Sequence, residues 1–246
     1  MKKICIFNHK GGVGKTTTAI NLAAGLSRKE KKVLLVDLDP QGNVDVSLKA
    51  KSECNIYDAM TGKVQIQQCI TPIGTNLDIL TSSETLTKAE FYMARQDESR
   101  LLLKEILNRI NNGYDFMIID CPPSLGLVNQ NALAMADEVF VPVTTDFLGL
   151  DALRKVEPIL DAISRSYGNN PVVTKIIPTM YDKRNKICND TLAIIQTEFS
   201  KQATYPIHVN TKIKEAPMHG MSIFNYDKRS TGAKDYGRLV DDVIAM

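Results

Sequence analysis

Short apolar segments alternate with stretches of helical periodicity from one end of the chain to the other. Several of the apolar segments are continuous runs, which are typical of strands that are covered on both faces of a sheet. These segments predict strands over residues 3–8, 33–37, 77–80, 115–120, 138–143 and 172–178. Because helical segments separate them, the pattern indicates an α/β fold with a doubly wound, mostly parallel sheet flanked by helices.

The segments between the predicted strands indicate where the helices lie. They predict helices over residues 16–27, 99–111, 125–135, 149–167, 189–200 and 231–244. Pro158 lies inside the fourth of these and predicts a kink or break there, because proline has no backbone N–H to donate. Residues 45–76 have weak periodicity, and we interpret them as peripheral helices and loops. Helical crossovers between parallel strands place the loops that follow the strands at one edge of the sheet, where we expect ligands to bind.

Composition limits the classes of function. The 246 residues suit one globular domain, and we expect residues 1–246 to form a single domain. Thirty Lys and Arg residues against 28 Asp and Glu give a net charge of +2, so any contact with nucleic acid must use a local patch. No apolar run approaches the roughly 18 residues of a membrane span, and no signal-peptide pattern is present, so we expect a cytoplasmic protein. Five cysteines without a CxxC spacing favour reduced thiols over a disulfide framework or a zinc site.

A glycine-rich segment between the first predicted strand and the first predicted helix carries the clearest chemical signal. It reads His9-Lys-Gly-Gly-Val-Gly-Lys-Thr-Thr17, and its three glycines allow backbone N–H groups to turn towards a phosphate at the start of a helix. Lys15 can reach the outer phosphates, and Thr16 offers its hydroxyl to Mg²⁺. The segment is a variant P-loop, because His9 stands where the general pattern has glycine.

Two apolar segments end in carboxylates, as the magnesium site of such a protein requires. The first ends at Asp37 and continues to Asp39, and the second ends at Asp120. An apolar strand that ends in aspartate at the carboxyl edge of a sheet has the Walker B arrangement, in which the carboxylate holds Mg²⁺ directly or through water. Beside the glycine-rich loop, these aspartates indicate a nucleotide site.

Together these motifs resemble the ParA/Soj partition ATPases, and the likeness extends in order over nearly the whole chain. The double-lysine loop marks the deviant Walker A group, which also contains the MinD-like ATPases and the nitrogenase iron protein. The segments that carry the resemblance are Lys10-Gly-Gly-Val-Gly-Lys-Thr-Thr17, Asp37-Leu-Asp-Pro-Gln-Gly-Asn43, Asp120-Cys-Pro-Pro-Ser124, Pro178-Thr-Met-Tyr-Asp-Lys-Arg184, Glu215-Ala-Pro217 and Tyr226-Asp-Lys-Arg-Ser230. The resemblance implies a P-loop NTPase fold, in agreement with the hydrophobic pattern.

The resemblance also implies roles for individual residues in binding and hydrolysing ATP. Lys10 is expected to reach across an ATP-bound dimer, Lys15 to bind the phosphates, and Asp39 to orient the attacking water. Thr16, Asp37 and Asp120 are expected near Mg²⁺, and the loops 37–44 and 120–126 to reorder between the ATP and ADP states. The expected nucleotide contacts are Lys10, Gly11, Gly12, Val13, Gly14, Lys15, Thr16, Thr17 and Asp120, with Pro178, Met180 and Asn210 near adenine. His208-Val209-Asn210 stands where the family often has Pro-Arg-Asn.

The family further implies an ATP-dependent homodimer that binds nucleoid DNA without sequence preference and a ParB-like centromere-binding or adaptor protein that stimulates hydrolysis. Two weak basic patches on one face of a dimer would double the phosphate contacts, and such binding rises steeply with their number. The candidate DNA contacts are Lys212, Lys214, Lys228, Arg229 and Lys234, with Arg238, Lys183, Arg184 and Lys186 as further basic residues.

Two alternatives stay open at this point. The first is a ParA-like ATPase that positions a protein cargo, which the ATPase sequence cannot distinguish from one that moves DNA. The second is a MinD-like regulator at the membrane, which the segment 238–246 disfavours because it is short and acidic and has a core-like apolar face. Because the P-loop begins at residue 10, we expect neither an N-terminal DNA-reading domain nor operator-specific repression.

Overall fold

A seven-stranded sheet is the centre of the computed structural model, which describes residues 1–95, 101–110 and 113–246. Six strands are parallel to their neighbours, and β3 alone runs antiparallel to β4. The strands are β1 (Lys2–Ile6), β2 (Val33–Asp37), β3 (Ile70–Gly74), β4 (Leu77–Leu80), β5 (Phe116–Asp120), β6 (Glu138–Thr144) and β7 (Val172–Thr179), in the order β3-β4-β2-β5-β1-β6-β7. The mostly parallel, doubly wound sheet predicted from the hydrophobic pattern is confirmed.

Helices cover both faces of this sheet. They are α1 (Lys15–Arg28), α2 (Asn43–Leu48), α3 (Ile56–Met60), α4 (Thr87–Ala94), α5 (Leu102–Asn108), α6 (Leu127–Met135), α7 (Phe147–Arg154), α8 (Val156–Tyr167), α9 (Lys186–Glu198), α10 (Thr211–Glu215), α11 (Ile223–Tyr226) and α12 (Thr231–Ile244). One face packs against α1 and α12, and the other against α5, α6 and α8. Because side chains alternate along a strand, Ile4 and Ile6 enter the first core while Cys5 and Phe7 enter the second.

Helices α4, α10 and α11 were not among the predicted elements, and two further differences have a physical reason. Strand β3 lies in the segment interpreted as helices and loops, because an edge strand buries little and this one contains Pro72. The expected break near Pro158 lies three residues earlier, at Lys155, where α7 ends and α8 begins. In one continuous helix Pro158 would clash with the carbonyl of Arg154, four residues before it. In the first turn of α8 the proline is tolerated. The ends of the helix predicted over 99–111 lie outside the described residues.

The strand order places the glycine-rich loop at a crevice. From β1 the chain crosses to β2 on one side through α1, whereas β6 pairs with β1 on the other side. The crossovers therefore diverge at the carboxyl end of β1, which is where open α/β sheets bind ligands. Asp120 and Asp37 end the adjacent strands β5 and β2 and are partners in register.

Candidate functional site

The glycine-rich loop has a backbone conformation that its glycines make possible. Gly12 and Gly14 have φ angles of 73° and 90°, in the left-handed region that other residues rarely adopt. Gly14 precedes α1 and contributes no side-chain cap, so the first N–H groups of that helix face the crevice. The hydroxyl of Thr179, at the end of β7, donates to the carbonyl of Val13 at 2.9 Å and anchors the loop to the sheet.

A cavity of about 410 Å³ opens beside this loop. It brings together most of the residues expected to bind phosphate, namely Gly11, Gly12, Gly14, Lys15, Thr16 and Thr17, with Asp39, which is expected to orient the attacking water. Val13 is buried behind the loop. Asn43, from the loop 37–44 that was expected to reorder with the nucleotide, also lines the cavity, whereas Ser47 of α2 was not expected there.

Lys15 lies under the loop rather than in solvent. Its side chain is buried, and Nζ donates to the carbonyl of Lys10 at 3.0 Å. Burial lowers the pKa of Lys15, while the nearby Asp120 carboxylate acts in the opposite direction. A cation inside a ring of main-chain N–H groups is the arrangement that binds a chain of phosphates.

Two buried carboxylates, Asp37 and Asp120, end the adjacent strands β2 and β5 close to the phosphate loop, and they differ in their partners. Asp37 accepts from the backbone N–H groups of Asp39 and Val44 at 2.8 and 3.2 Å. Neither oxygen of Asp120 has a hydrogen-bond partner of normal geometry among the residues that the structure describes. Burial raises the pKa of Asp120 to about 7, although the Thr16 hydroxyl and Lys15 lower it. Burial and the neighbouring Asp120 also raise the pKa of Asp37.

This donor set fits a magnesium ion. A buried carboxylate without a partner is costly unless a cation or proton donors reach it, and Mg²⁺ carries both its charge and ordered water. The hydroxyl of Thr16 and the carboxylates of Asp37 and Asp120 are hard oxygen donors of the kind that this ion prefers. The structure therefore brings together the three residues expected to bind the metal.

Lys10 and Asp39 lie at the edges of the site. The ammonium of Lys10 contacts Asp146 Oδ1 at 3.1 Å and Thr144 Oγ1 at 3.3 Å, both in the same chain. Asp146 follows the carboxyl end of β6 and was missed in the sequence, although its place at the ligand-binding edge was a usable signal. Asp39 lines the cavity and accepts from the N–H of Gln41 at 3.0 Å.

A second, smaller cavity of about 170 Å³ continues from the phosphate loop. Gly14, Thr17 and Met180 line both cavities, and Asn210 lines the smaller one while accepting from the N–H of Lys212. Pro178, expected near adenine, lies buried in β7 and lines neither of these two cavities of the described chain. The smaller cavity is mainly apolar, with Ile207, Val209, Ile213 and Tyr236 in its wall.

His208 separates the smaller cavity from a cleft on the outer surface. Its ring Nδ1 lies 2.9 Å from Asp235 Oδ2, and the same oxygen accepts from its backbone N–H at 3.0 Å. These two contacts hold His208 against α12. The cleft, of about 310 Å³, is lined by Tyr181, Asp182, Lys183, Arg184, His208, Val209 and Thr231.

The basic residues named from the sequence lie in different environments. Lys214 lines the small cavity, and Lys186, Lys228, Arg229 and Lys234 are exposed. Three other residues have partners: Lys212 contacts Glu215 at 2.8 Å, Arg184 contacts Asp182 at 2.8 Å, and Arg238 lies over the ring of Tyr205. No helix among the described residues has the length and apolar character needed to cross a bilayer.

Comparison with known proteins agrees with this site. The family model described as "AAA domain" matches residues 1–173. The chain is 37% identical to the chromosome-partitioning ATPase Soj of Treponema pallidum, covering 99% of this chain and 97% of that protein. It is 36% identical to the sporulation initiation inhibitor protein Soj of Bacillus subtilis, over 99% and 98% respectively.

Solved structures of related proteins share the fold of this chain. The structure of a putative plasmid partition protein from Borrelia burgdorferi bound to AMPPNP has a TM-score of 0.82 and 28% identity, over 99% of this chain and 98% of that one. The septum site-determining protein MinD from Pyrococcus horikoshii, complexed with Mg-ADP, shares the fold with a TM-score of 0.83 at 24% identity, over 98% and 95%. The chain belongs to the ParA/Soj family of partition ATPases and is an ATP hydrolase.

Proposed function

We propose that residues 1–246 act as a single ATPase domain that closes into a dimer on Mg-ATP, binds DNA without sequence preference and separates after hydrolysis. The observation that carries the proposal is the buried Asp120 carboxylate, which lies beside Lys15 and Thr16 and has no hydrogen-bond partner of normal geometry among the described residues. This arrangement is costly when the protein stands alone and is relieved by a cation that arrives with phosphate. The stability of the site would therefore depend on whether Mg-ATP is bound.

Different residues of the chain would bind the phosphates, hold the metal and orient the attacking water. The N–H groups at the start of α1 and the ammonium of Lys15 bind the phosphates, and Thr16, Asp37 and Asp120 would hold Mg²⁺. The ion, when bound, neutralises charge that develops on the phosphate oxygens. Asp39 lines the same cavity, and its carboxylate can accept a hydrogen bond from the attacking water and thereby orient it. If this role is correct, Asp39→Ala stops turnover but leaves ATP-dependent dimers intact.

The dimer would form over the mouth of the phosphate cavity. Lys10 lies at this mouth, bound to Asp146, and the next two residues, Phe147 and Leu148, are 73% and 63% exposed. In the proposed dimer the ammonium of Lys10 leaves Asp146 and stabilises charge on the ATP of the partner subunit, as an arginine finger does. The exposed apolar pair beside it lies where the second protomer would cover it.

DNA binding would use the basic residues around the outer cleft and α10. Lys183 and Arg184 line the cleft, and Lys214 lies at the small cavity. These charges are too few in one protomer to hold DNA tightly, but two protomers double the phosphate contacts. A ParB-like centromere-binding or adaptor protein would stimulate hydrolysis and release the dimer, so that plasmid or chromosomal DNA is segregated or positioned.

The fold argues against the MinD-like alternative at the membrane. Tyr236, Leu239, Val240 and Val243 form the apolar face of α12, and all four are buried in the core that this helix shares with α1. An amphipathic helix binds lipid only with a free apolar face. Protein cargo in place of DNA would leave the nucleotide switch unchanged.

DNA co-sedimentation over a salt series tests the proposal. Wild type and Lys10→Ala are compared with ATP, ADP and no nucleotide, each with Mg²⁺. We expect wild type to bind only with ATP, Lys10→Ala to bind weakly throughout, and binding to fall steeply with salt. Equal binding of wild type in ATP and ADP would contradict the switch, whereas absence of DNA binding with an intact nucleotide-dependent dimer would favour a protein cargo.

A further inference from the structure

The loop that follows Asp120 is tied to a helix on the far side of the site. Residues 121–126 run from the end of β5 to α6, and Pro123 of this loop lines the phosphate cavity. Asn129 on α6 is buried, and its Nδ2 donates to the carbonyl of Pro122 at 2.9 Å and to that of Ser124. The position of α6 therefore fixes the position of the loop.

The start of α6 is capped by a residue from another element. Gly126, at the N-cap position, has no side chain to accept the first N–H groups of the helix. Glu90 on α4 does this instead: Oε2 accepts from Leu127 at 2.6 Å and Oε1 from Val128 at 3.2 Å. A carboxylate at a helix N-terminus is favoured both by these bonds and by the helix dipole.

The contact of the Glu90 carboxylate with the N–H groups of Leu127 and Val128, which we call the Glu90 clamp, requires glycine at position 126. The backbone conformation does not require it. Its φ and ψ angles of −67° and 178° are open to any residue. A Cβ at this position would lie 2.2 Å from Glu90 Oε1, so only glycine lets the carboxylate approach. On the other side, α4 is fixed to the core by Ala89 and Met93, both fully buried. The backbone that carries Glu90 is therefore anchored in the core.

From this geometry we infer that Glu90 is a positioning residue for ATP hydrolysis, which acts through α6 on the loop 121–126 that faces the terminal phosphate. The inference rests on the proposed placement of ATP in the phosphate cavity. A group that acts on this loop alone should affect the hydrolysis step more than the binding of ADP, because ADP lacks the phosphate that the loop would face.

The test compares Glu90→Gln and Glu90→Ala with Glu84→Gln, which changes an exposed acid just before α4. Glutamine keeps one acceptor oxygen but places an amide NH₂ against the second backbone N–H. Because its size is unchanged, it distinguishes the loss of the hydrogen bond from the loss of side-chain volume. We expect Glu90→Gln to lower kcat about 10-fold, with KM for ATP and Kd for ADP within twofold of wild type. Hydrogen exchange at residues 127–128 should accelerate, that at 10–17 should not, and Glu84→Gln should match wild type.

A wild-type kcat in both Glu90 variants, with faster exchange at 127–128, would overturn the inference, since the clamp would then be structural only. Equal losses in kcat and in ADP affinity would also overturn it. Wild-type protein that fails to bind ATP would contradict the proposed function instead, so the two failures are distinguishable. Melting curves with and without ADP confirm that each variant is folded before kinetics are measured.

Discussion

Lys10 Nζ contacts Asp146 Oδ1 at 3.1 Å, so the residue expected to cross the proposed dimer interface already forms an ion pair within its own chain. Asp146 also caps α7 by accepting from the N–H of Gly149 at 2.7 Å. Burial alone would raise the pKa of Asp146, but the hydrogen bonds of Thr144, Gly149 and Lys10 outweigh it and lower this pKa. Asp146 is therefore ionised at neutral pH, and in the proposed dimer it would compete with the partner's ATP for Lys10.

Removing this competition should favour the dimer. Asp146→Asn keeps a residue suited to the helix cap but loses the charge, so we expect half-maximal dimerisation at about two- to fivefold less ATP. The measurement is light scattering against ATP concentration. Asp151→Asn removes an exposed acid from the same helix and serves as the control. An unchanged midpoint in Asp146→Asn would show that the intrasubunit contact does not restrain Lys10.

Asp120 should reduce the stability of the nucleotide-free protein as pH rises. Its folded pKa is about 7 against roughly 3.9 in the unfolded chain, so between these values the folded state binds more protons. Stability is then fully present near pH 4 and is lost as pH rises to 7. Asp120→Asn has no such loss, and we expect it to exceed wild type by about 1–3 kcal/mol more at pH 8 than at pH 4.

Urea denaturation at both pH values measures this difference. Asp241→Asn removes a largely exposed aspartate on α12 and serves as the control, whereas Asp37→Asn should destabilise the protein because Asp37 accepts two backbone N–H bonds. Asp120→Asn should also lose much of the stabilisation by Mg-ADP, since the oxygen donors are part of the proposed metal site. A pH-independent difference between Asp120→Asn and wild type would refute the account of this carboxylate.

The anchor of the phosphate loop on β7 should contribute to nucleotide affinity. Thr179→Val keeps the shape of the side chain but removes the hydroxyl that donates to Val13, so we expect Kd for ADP to rise about 2–10-fold. Thr174→Val on the same strand removes a hydroxyl bonded to Glu138, far from the loop, and should leave Kd unchanged. Fluorescent ADP titration distinguishes the two; equal Kd values for all three proteins would argue against the anchor.

Arg184 and its partner Asp182 should have opposite effects on DNA affinity. The pair is exposed, and hydrogen bonds from Arg184 lower the pKa of Asp182 to about 2, so both groups stay charged at neutral pH. Arg184→Ala should weaken ATP-dependent DNA binding and reduce the salt slope by about 2 per dimer, whereas Asp182→Ala should strengthen binding. Arg154→Ala, on α7, removes a similarly paired arginine and is the control. Filter binding across salt concentrations that finds equal slopes for wild type and Arg184→Ala would exclude this residue from the DNA surface.

The sequence predicted those parts of the structure that depend on local pattern. Continuous apolar runs predicted six of the seven strands, and the spacing of glycine, lysine and threonine placed the loop of residues 10–17 at the correct edge. Asp37 and Asp120 could be paired in advance because parallel strands end together. Such features repeat at fixed intervals along the chain or follow from the geometry of the sheet.

Contacts between distant segments could not be predicted in this way. Asp146 meets Lys10 across 136 residues, and Glu90 meets α6 across 37, and neither pairing has a periodic signal. The edge strand β3 was missed for a similar reason, because its half-exposed residues follow neither the alternating nor the continuous apolar pattern clearly. The two sides of these contacts are brought together only by the packing of the whole sheet and its helices.

The solution mass of the protein in the presence of different nucleotides tests the central claim most directly. Size-exclusion chromatography with light scattering would be run on wild type in Mg²⁺ with AMPPNP and with ADP. The account predicts twice the 27.3 kDa protomer mass with AMPPNP, the protomer mass with ADP, and the protomer mass in both nucleotides for Lys10→Ala. The same mass for wild type in both nucleotides would contradict it.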